Sequence, residues 1–143
     1  MGELYDNDVL EWSERQAELL RQHAAGRTSN SAIDWPNIIE EVESAGRSQL
    51  TAVQSLLVQT LLHDLKAEAW PLAPYVPHWR AEARGFRRDA ARTFTPSMRE
   101  RIDVAGLYAD ALYRMPDTID GVPPLPVPPH CPVTLDELLG DGP

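Results

Sequence analysis

The chain has 143 residues, of which 24% are charged, with a formal net charge of −9 and a single cysteine. A chain of that length reads as one helical domain over residues 1–143, able to bury roughly 70% of its unfolded surface with no metal or disulfide staple. The acidic balance argues against nucleic acid as a partner, the absence of any run near roughly 18 apolar residues argues against a membrane span, and the lone Cys131 with no leader-like N-terminus points to a reducing cytoplasm.

Apolar residues recur at spacings of three and four along nearly the whole chain, which predicts an all-α fold. The expected form is a compact bundle of about five helices, followed by a proline-rich segment and a short terminal helix. A first helix is expected from Asp8, where Asp8 and Glu11 have capping-box spacing, to about Ala25. Its stripe holds Val9, Trp12, Leu19 and Leu20, with Gln16 and His23 at least partly buried beside them. A polar loop over 26–32 leads to Asp34, a capping carboxylate, and to Trp35 and Pro36 in the first turn of a second helix that turns Ile38, Ile39, Val42 and Ala45 inward.

Gly46 breaks or bends that helix, and a third is expected from Arg47 to about Ala69 with Leu50, Val53, Leu57, Leu61 and Leu65 inside. Its segment LLVQTLLHDLK, residues 56–66, is apolar around most of its circumference yet carries His63, Asp64 and Lys66. At about 100° per residue, Asp64 falls between Leu57 and Val53 on the inward face, with His63 at the margin. An isolated ionised carboxylate there would be too costly, so Asp64 needs a donor, an arginine of the fourth helix or a tryptophan indole.

Three prolines between Trp70 and Pro77 make a rigid connector. The fourth helix then runs to about Thr93, with Trp79, Ala83, Phe86 and Ala90 inside and Arg80, Arg84 and Arg88 repeating every four residues as a basic ridge. Thr95 and Pro96 open a fifth helix to about Arg114 that buries Met98, Ile102, Ala105, Tyr108, Ala109 and Leu112. Residues 116–132 hold seven prolines and are read as extended chain packed on the bundle. Thr134 and Glu137 then form a capping box for a last short helix through Leu139.

Several fragments, in this order and spacing, together resemble a known family: YDNDVLEWSERQAELLR at 5–21, the pair Glu40 and Glu41, LLHDLK at 61–66, His78-Trp79-Arg80 followed by further arginines, and Cys131-Pro132-Val133-Thr134-Leu135. The chain is similar over almost its whole length to the bacterial family catalogued as domain of unknown function 29. The resemblance implies a compact helical bacterial protein without an assigned activity. The chain departs from that pattern at Asp64, where an apolar residue is expected, and in AEAW at 67–70.

The polar residues singled out are Glu40, Glu41, His63, Asp64 and Lys66. Carboxylates and an imidazole are metal ligands, but Glu40 and Glu41 are adjacent and diverge by about 100°, and no HExxH pattern is present. They are therefore read as a structural network, with no catalytic residue, no metal and no cofactor. Cys131, between His130 and Pro132, reads as a small apolar anchor.

Charge is segregated, with ten acids against three arginines in residues 1–46 and seven arginines against three acids in residues 80–101. The two stretches can face each other within one fold, and the ridge of Arg80, Arg84 and Arg88 reads either as a solvated face with internal ion pairs or as a surface for an acidic protein partner or a second copy of the chain; the function expected is a non-catalytic interaction or regulatory module. The alternative is a small metal-dependent hydrolase of a phosphoester or nucleotide, using Glu41, His63 and Asp64.

Overall fold

The computed structural model describes residues 2–7, 9–27 and 32–140. Among them the structure is helical, with no strand and one isolated bridge, Ile119 to Val122. The α-helices are α1 (Gly2–Asn7), α2 (Val9–Ala24), α3 (Trp35–Ala69), α4 (Val76–Thr93), α5 (Val104–Tyr113) and α6 (Leu135–Leu138). No described helix is long and apolar enough to cross a membrane. The chain divides into two compact units, Met1–Arg47 and Ser48–Pro143.

In the first unit α1 packs on α2, an element absent from the sequence reading. The expected Asp8 cap, loop residues 28–31 and the side chains of Val9 and Trp12 lie outside the described residues. Gln16 is buried, and its side-chain oxygen accepts the Asp34 backbone N–H at 2.8 Å. Asp34 is also buried: its carbonyl accepts from Ile38 N–H, and its carboxylate accepts from the Asn37 amide at 2.8 Å. Those bonds and Pro36 in the first turn fix where α3 begins.

Two expectations fail in this unit. His23 is exposed rather than partly buried, its ring edge-on to Trp35 at 6.1 Å. Ile39 and Val42 are 55% and 70% exposed and Ala45 is exposed, so the stripe expected to face inward is largely uncovered. Helical phase shows which residues share a face, and only packing decides whether anything covers that face.

The expected second and third helices are one. α3 passes through Gly46 without a break, because a single interior glycine costs only about 1 kcal/mol and good helix formers flank it. In the second unit Val53, Leu57, Val58, Leu61, Leu62 and Leu65 of α3 are all buried. Each such side chain contributes on the order of 2 kcal/mol of burial. Thr60 is wholly buried among them and donates its hydroxyl to the Leu56 carbonyl at 2.9 Å.

Around this strip lie Ala90 of α4, Met98 and Ile102 from the connection between α4 and α5, Tyr108 and Ala111 of α5, and Leu138 and Leu139 at the end of α6. A second cluster joins Ala67, Ala69, Trp70 and Trp79. α4 begins at Val76 with Pro77 in its first turn and buries Trp79, Ala83 and Ala90, as its stripe predicts. The expected fifth helix is corrected: Pro96–Met98 is a short 3₁₀ turn, and α5 starts only at Val104. Asp103 has extended backbone there and its carbonyl accepts from Leu107 N–H, so the chain is re-aimed and Ala105 and Ala109 are exposed. The Thr134 cap forms, its hydroxyl accepting from Glu137 N–H at 3.2 Å.

An unbroken α3 makes Gly46 replaceable, since a Cβ there would meet nothing within 4 Å. Gly46→Ala should raise stability by about 0.5–1 kcal/mol in urea denaturation, by removing backbone freedom from the unfolded chain. A loss of stability would mean that the helix stops at this residue.

Candidate functional site

The segment 56–66 places its polar residues at the edge of the buried strip rather than inside it. Asp64 keeps 28% of its side chain exposed. Its two oxygens accept from Arg80 at 2.8 Å and from Arg87 at 3.1 Å, both guanidiniums coming from α4. Arg80 and Arg87 are seven residues apart, so two helical turns bring them back to one face. Arg87 reaches further, its Nε donating to the Leu138 carbonyl at 3.0 Å. Gly140, with φ of 87°, turns the chain just past α6; an added Cβ there would sit 3.4 Å from Cδ of Arg87. One arginine thus ties α3, α4 and the α6 end together.

The other residues of the expected network have separate partners. His63 donates Nδ1–H to the Gln59 carbonyl at 2.7 Å, a direction fixed because a carbonyl only accepts, and its ring tilts against Phe86 at 5.2 Å. Lys66 Nζ lies 6.0 Å from the centre of the Trp79 ring. Glu40 pairs with Arg47 at 2.8 Å, and Glu41 accepts the Tyr5 hydroxyl. The expectation that the two glutamates and His63–Asp64 sit on successive helices is corrected, since all four are on α3. Among the described residues no three His, Cys, Asp or Glu side chains are placed to hold a metal ion.

The basic ridge also divides. Arg80 turns to Asp64, whereas Arg84 and Arg88 are exposed and make no ion pair with a described residue. Arg87 was missed because a spacing of four was followed from Arg80 instead of seven. Its signal was its heptad distance from Arg80 and its place beside the half-buried Phe86.

The cavity beside Asp64 measures about 70 Å³ and is also lined by Glu68, Arg87, Tyr108 and Glu137. It is well below the roughly 300 Å³ of ordinary small-molecule sites. Tyr108 is buried and donates its hydroxyl to the Pro128 carbonyl, pinning the proline-rich segment to α5. Burial, with Cys131 and Glu68 nearby, raises its pKa above the ordinary 10.0. Cys131 is half-buried, packs against the core and directs its thiol to the Val133 carbonyl at 3.4 Å. Among the described residues no buried side-chain nitrogen or oxygen lacks a hydrogen-bond partner.

These features define an all-helical protein whose most conspicuous polar cluster is a carboxylate clamped by two arginines. The chain belongs to the family described as domain of unknown function DUF29, which it matches over residues 4–142. It is similar to a crystal structure of an alpha-helical protein of unknown function from Rhodospirillum rubrum ATCC 11170, at 28% identity and a TM-score of 0.70, covering 94% of this chain and 88% of that one. No curated protein matches it.

The clamp predicts an ordering. Arg87→Ala removes a partly buried ion pair and leaves the Leu138 carbonyl without its donor, and should cost about 1–2 kcal/mol. Arg80→Ala loses only a half-exposed pair and should cost about 0.5 kcal/mol or less. Equal losses in denaturant titrations would show that the carbonyl bond contributes nothing.

Tyr108 gives the fold an alkaline limit. The unfolded phenol ionises near 10.0 while the folded one holds its proton, so the stability it contributes is complete below that pH and is lost as pH rises through the higher folded value. The unfolding midpoint should fall between about pH 9 and pH 11. Tyr108→Phe should flatten that fall; an unchanged slope would exclude this tyrosine as its source.

Proposed function

We propose that this protein is a non-catalytic interaction module of the bacterial cytoplasm that binds an acidic protein surface through the exposed arginine face of α4. The observation that carries this reading is the state of Arg84 and Arg88, one helical turn apart on α4, exposed and without an ion pair among the described residues; Arg101, after α4, shares that state, while Arg80, Arg87, Arg92, Arg99 and Arg114 in the same unit each have a carboxylate partner. Ala81, Gly85 and Ala91 on that side of the helix are small and exposed, so a partner backbone can come close while the guanidiniums reach its carboxylates. A net charge of −9 disfavours a polyanionic nucleic acid on this surface and favours a local, protein-sized acidic patch. Residues 1–46 of a second copy, with their ten acids, have the required charge.

The hydrolase alternative needs Glu41, His63 and Asp64 around one ion. Each has instead its own partner, Tyr5, the Gln59 carbonyl and the two arginines, which favours the non-catalytic reading.

Affinity purification of the tagged chain from its native host, paired with the double variant R84E/R88E, tests the proposal. The wild type should retain a stoichiometric acidic protein or a second copy of itself, told apart by native mass. The double variant should bind at least about tenfold more weakly, and about 0.5 M salt should weaken wild-type binding too, because exposed pairs are screened. Undiminished binding by a folded R84E/R88E protein would remove the α4 face from the mechanism.

A further inference from the structure

In the second unit the connector after α3 and the segment after α5 form the two walls of an open cleft of about 330 Å³. Trp70, Leu72, Ile119, Val122 and Leu125 line it together with prolines from both walls, and among the described residues Asp120 is its only ionisable lining residue. Leu72 is 96% exposed, and Val122 and Leu125 are each 54% exposed, an apolar surface left in water.

The walls are held in place. The Trp70 indole donates to the Val122 carbonyl at 2.8 Å, and Leu125 N–H donates to the Ala69 carbonyl at 2.9 Å. Ile119 and Val122 exchange backbone hydrogen bonds across Asp120-Gly121, whose φ values of 52° and 78° are those of a tight type I′ turn. The Tyr75 hydroxyl donates to one oxygen of Asp120 at 2.7 Å and fixes the carboxylate at the rim. Its other oxygen has no partner among the described residues.

We propose that this cleft binds a small organic cation, an ammonium group on an apolar body. Three observations select that chemistry. The volume lies within the range of small-molecule sites and is far too small for a folded partner. The walls offer an apolar body almost nothing but carbon, and prolines with cross-wall hydrogen bonds keep them open, so little ordering cost falls on the ligand. The single charge is negative and holds a free acceptor, which suits an ammonium head and repels a carboxylate or phosphate. This site is separate from the α4 arginine face and stands or falls independently of it.

The test is an amide-resonance titration of the full chain with phenethylamine, 2-phenylethanol and 3-phenylpropionate, three probes with one ring and different heads. Phenethylamine should give saturable shifts confined to residues 69–75 and 119–125, and should bind at least about fivefold more tightly than 3-phenylpropionate. D120N keeps an acceptor for Tyr75 and a residue that tolerates positive φ, and removes only the charge. It should abolish the preference while leaving weak binding of the neutral alcohol. L125K, which puts a tethered ammonium on the cleft wall and keeps the backbone N–H, should abolish phenethylamine binding and supplies the test if D120N misfolds. The proposal is overturned if no probe saturates below about 10 mM, if the order of affinities survives D120N, or if diluting the protein alone moves the same resonances, which would mean that a second copy occupies the cleft.

Discussion

Asp64 sits where the most apolar stretch of α3 meets α4, and the geometry of the second unit turns on how its charge is neutralised. One carboxylate receives two guanidiniums, and one of those, Arg87, goes on to hold the Leu138 carbonyl at the end of α6. The arrangement is partly wet, with 28% of the Asp64 side chain and 29% of that of Arg87 exposed, so it is worth less than a fully buried pair would suggest. Its larger effect is directional. Apolar packing of Leu138 and Leu139 draws the last helix onto the core, and the fixed fork of a guanidinium then sets its position.

The same pairing separates structural charge from charge available for recognition. Arginines that meet carboxylates inside the second unit have little left to offer a partner, whereas Arg84 and Arg88 make no ion pair with any described residue. The cleft at 69–74 and 119–125 presents the opposite surface, apolar with one negative rim. Two surfaces so different in chemistry do not compete for the same ligand.

Much of the fold was legible because helical periodicity is strong wherever burial is real. Val53, Leu57, Leu61 and Leu65 are buried where their spacing puts them, as are Trp79, Ala83 and Ala90 of α4, and Thr134 caps the last helix. The two misread helix boundaries share one cause. At Gly46, and at Asp103 within the expected fifth helix, a local preference of about 1 kcal/mol or less decides between continuing and breaking, and neighbouring packing outweighs it in either direction. The Asp120-Gly121 turn was open to sequence reading, since Asp-Gly between apolar residues is a recognised hairpin signal, but the density of prolines around it hid the signal.

The sequence by itself determined the helical class, the buried strip of α3, and that Asp64 would need a donor, because each follows from side-chain period and the cost of burying charge. Tertiary structure alone decided which arginine would answer and which face would stay bare. Arg80 and Arg87 were two of seven arginines in a short stretch, and only the approach of α4 to α3 brings those two within reach of one carboxylate. The cleft likewise exists only because the connector after α3 and the segment after α5, some fifty residues apart in sequence, are hydrogen-bonded side by side. Local periodicity carries no information about such a meeting, since it is set by the packing of whole helices rather than by any residue's neighbours in sequence.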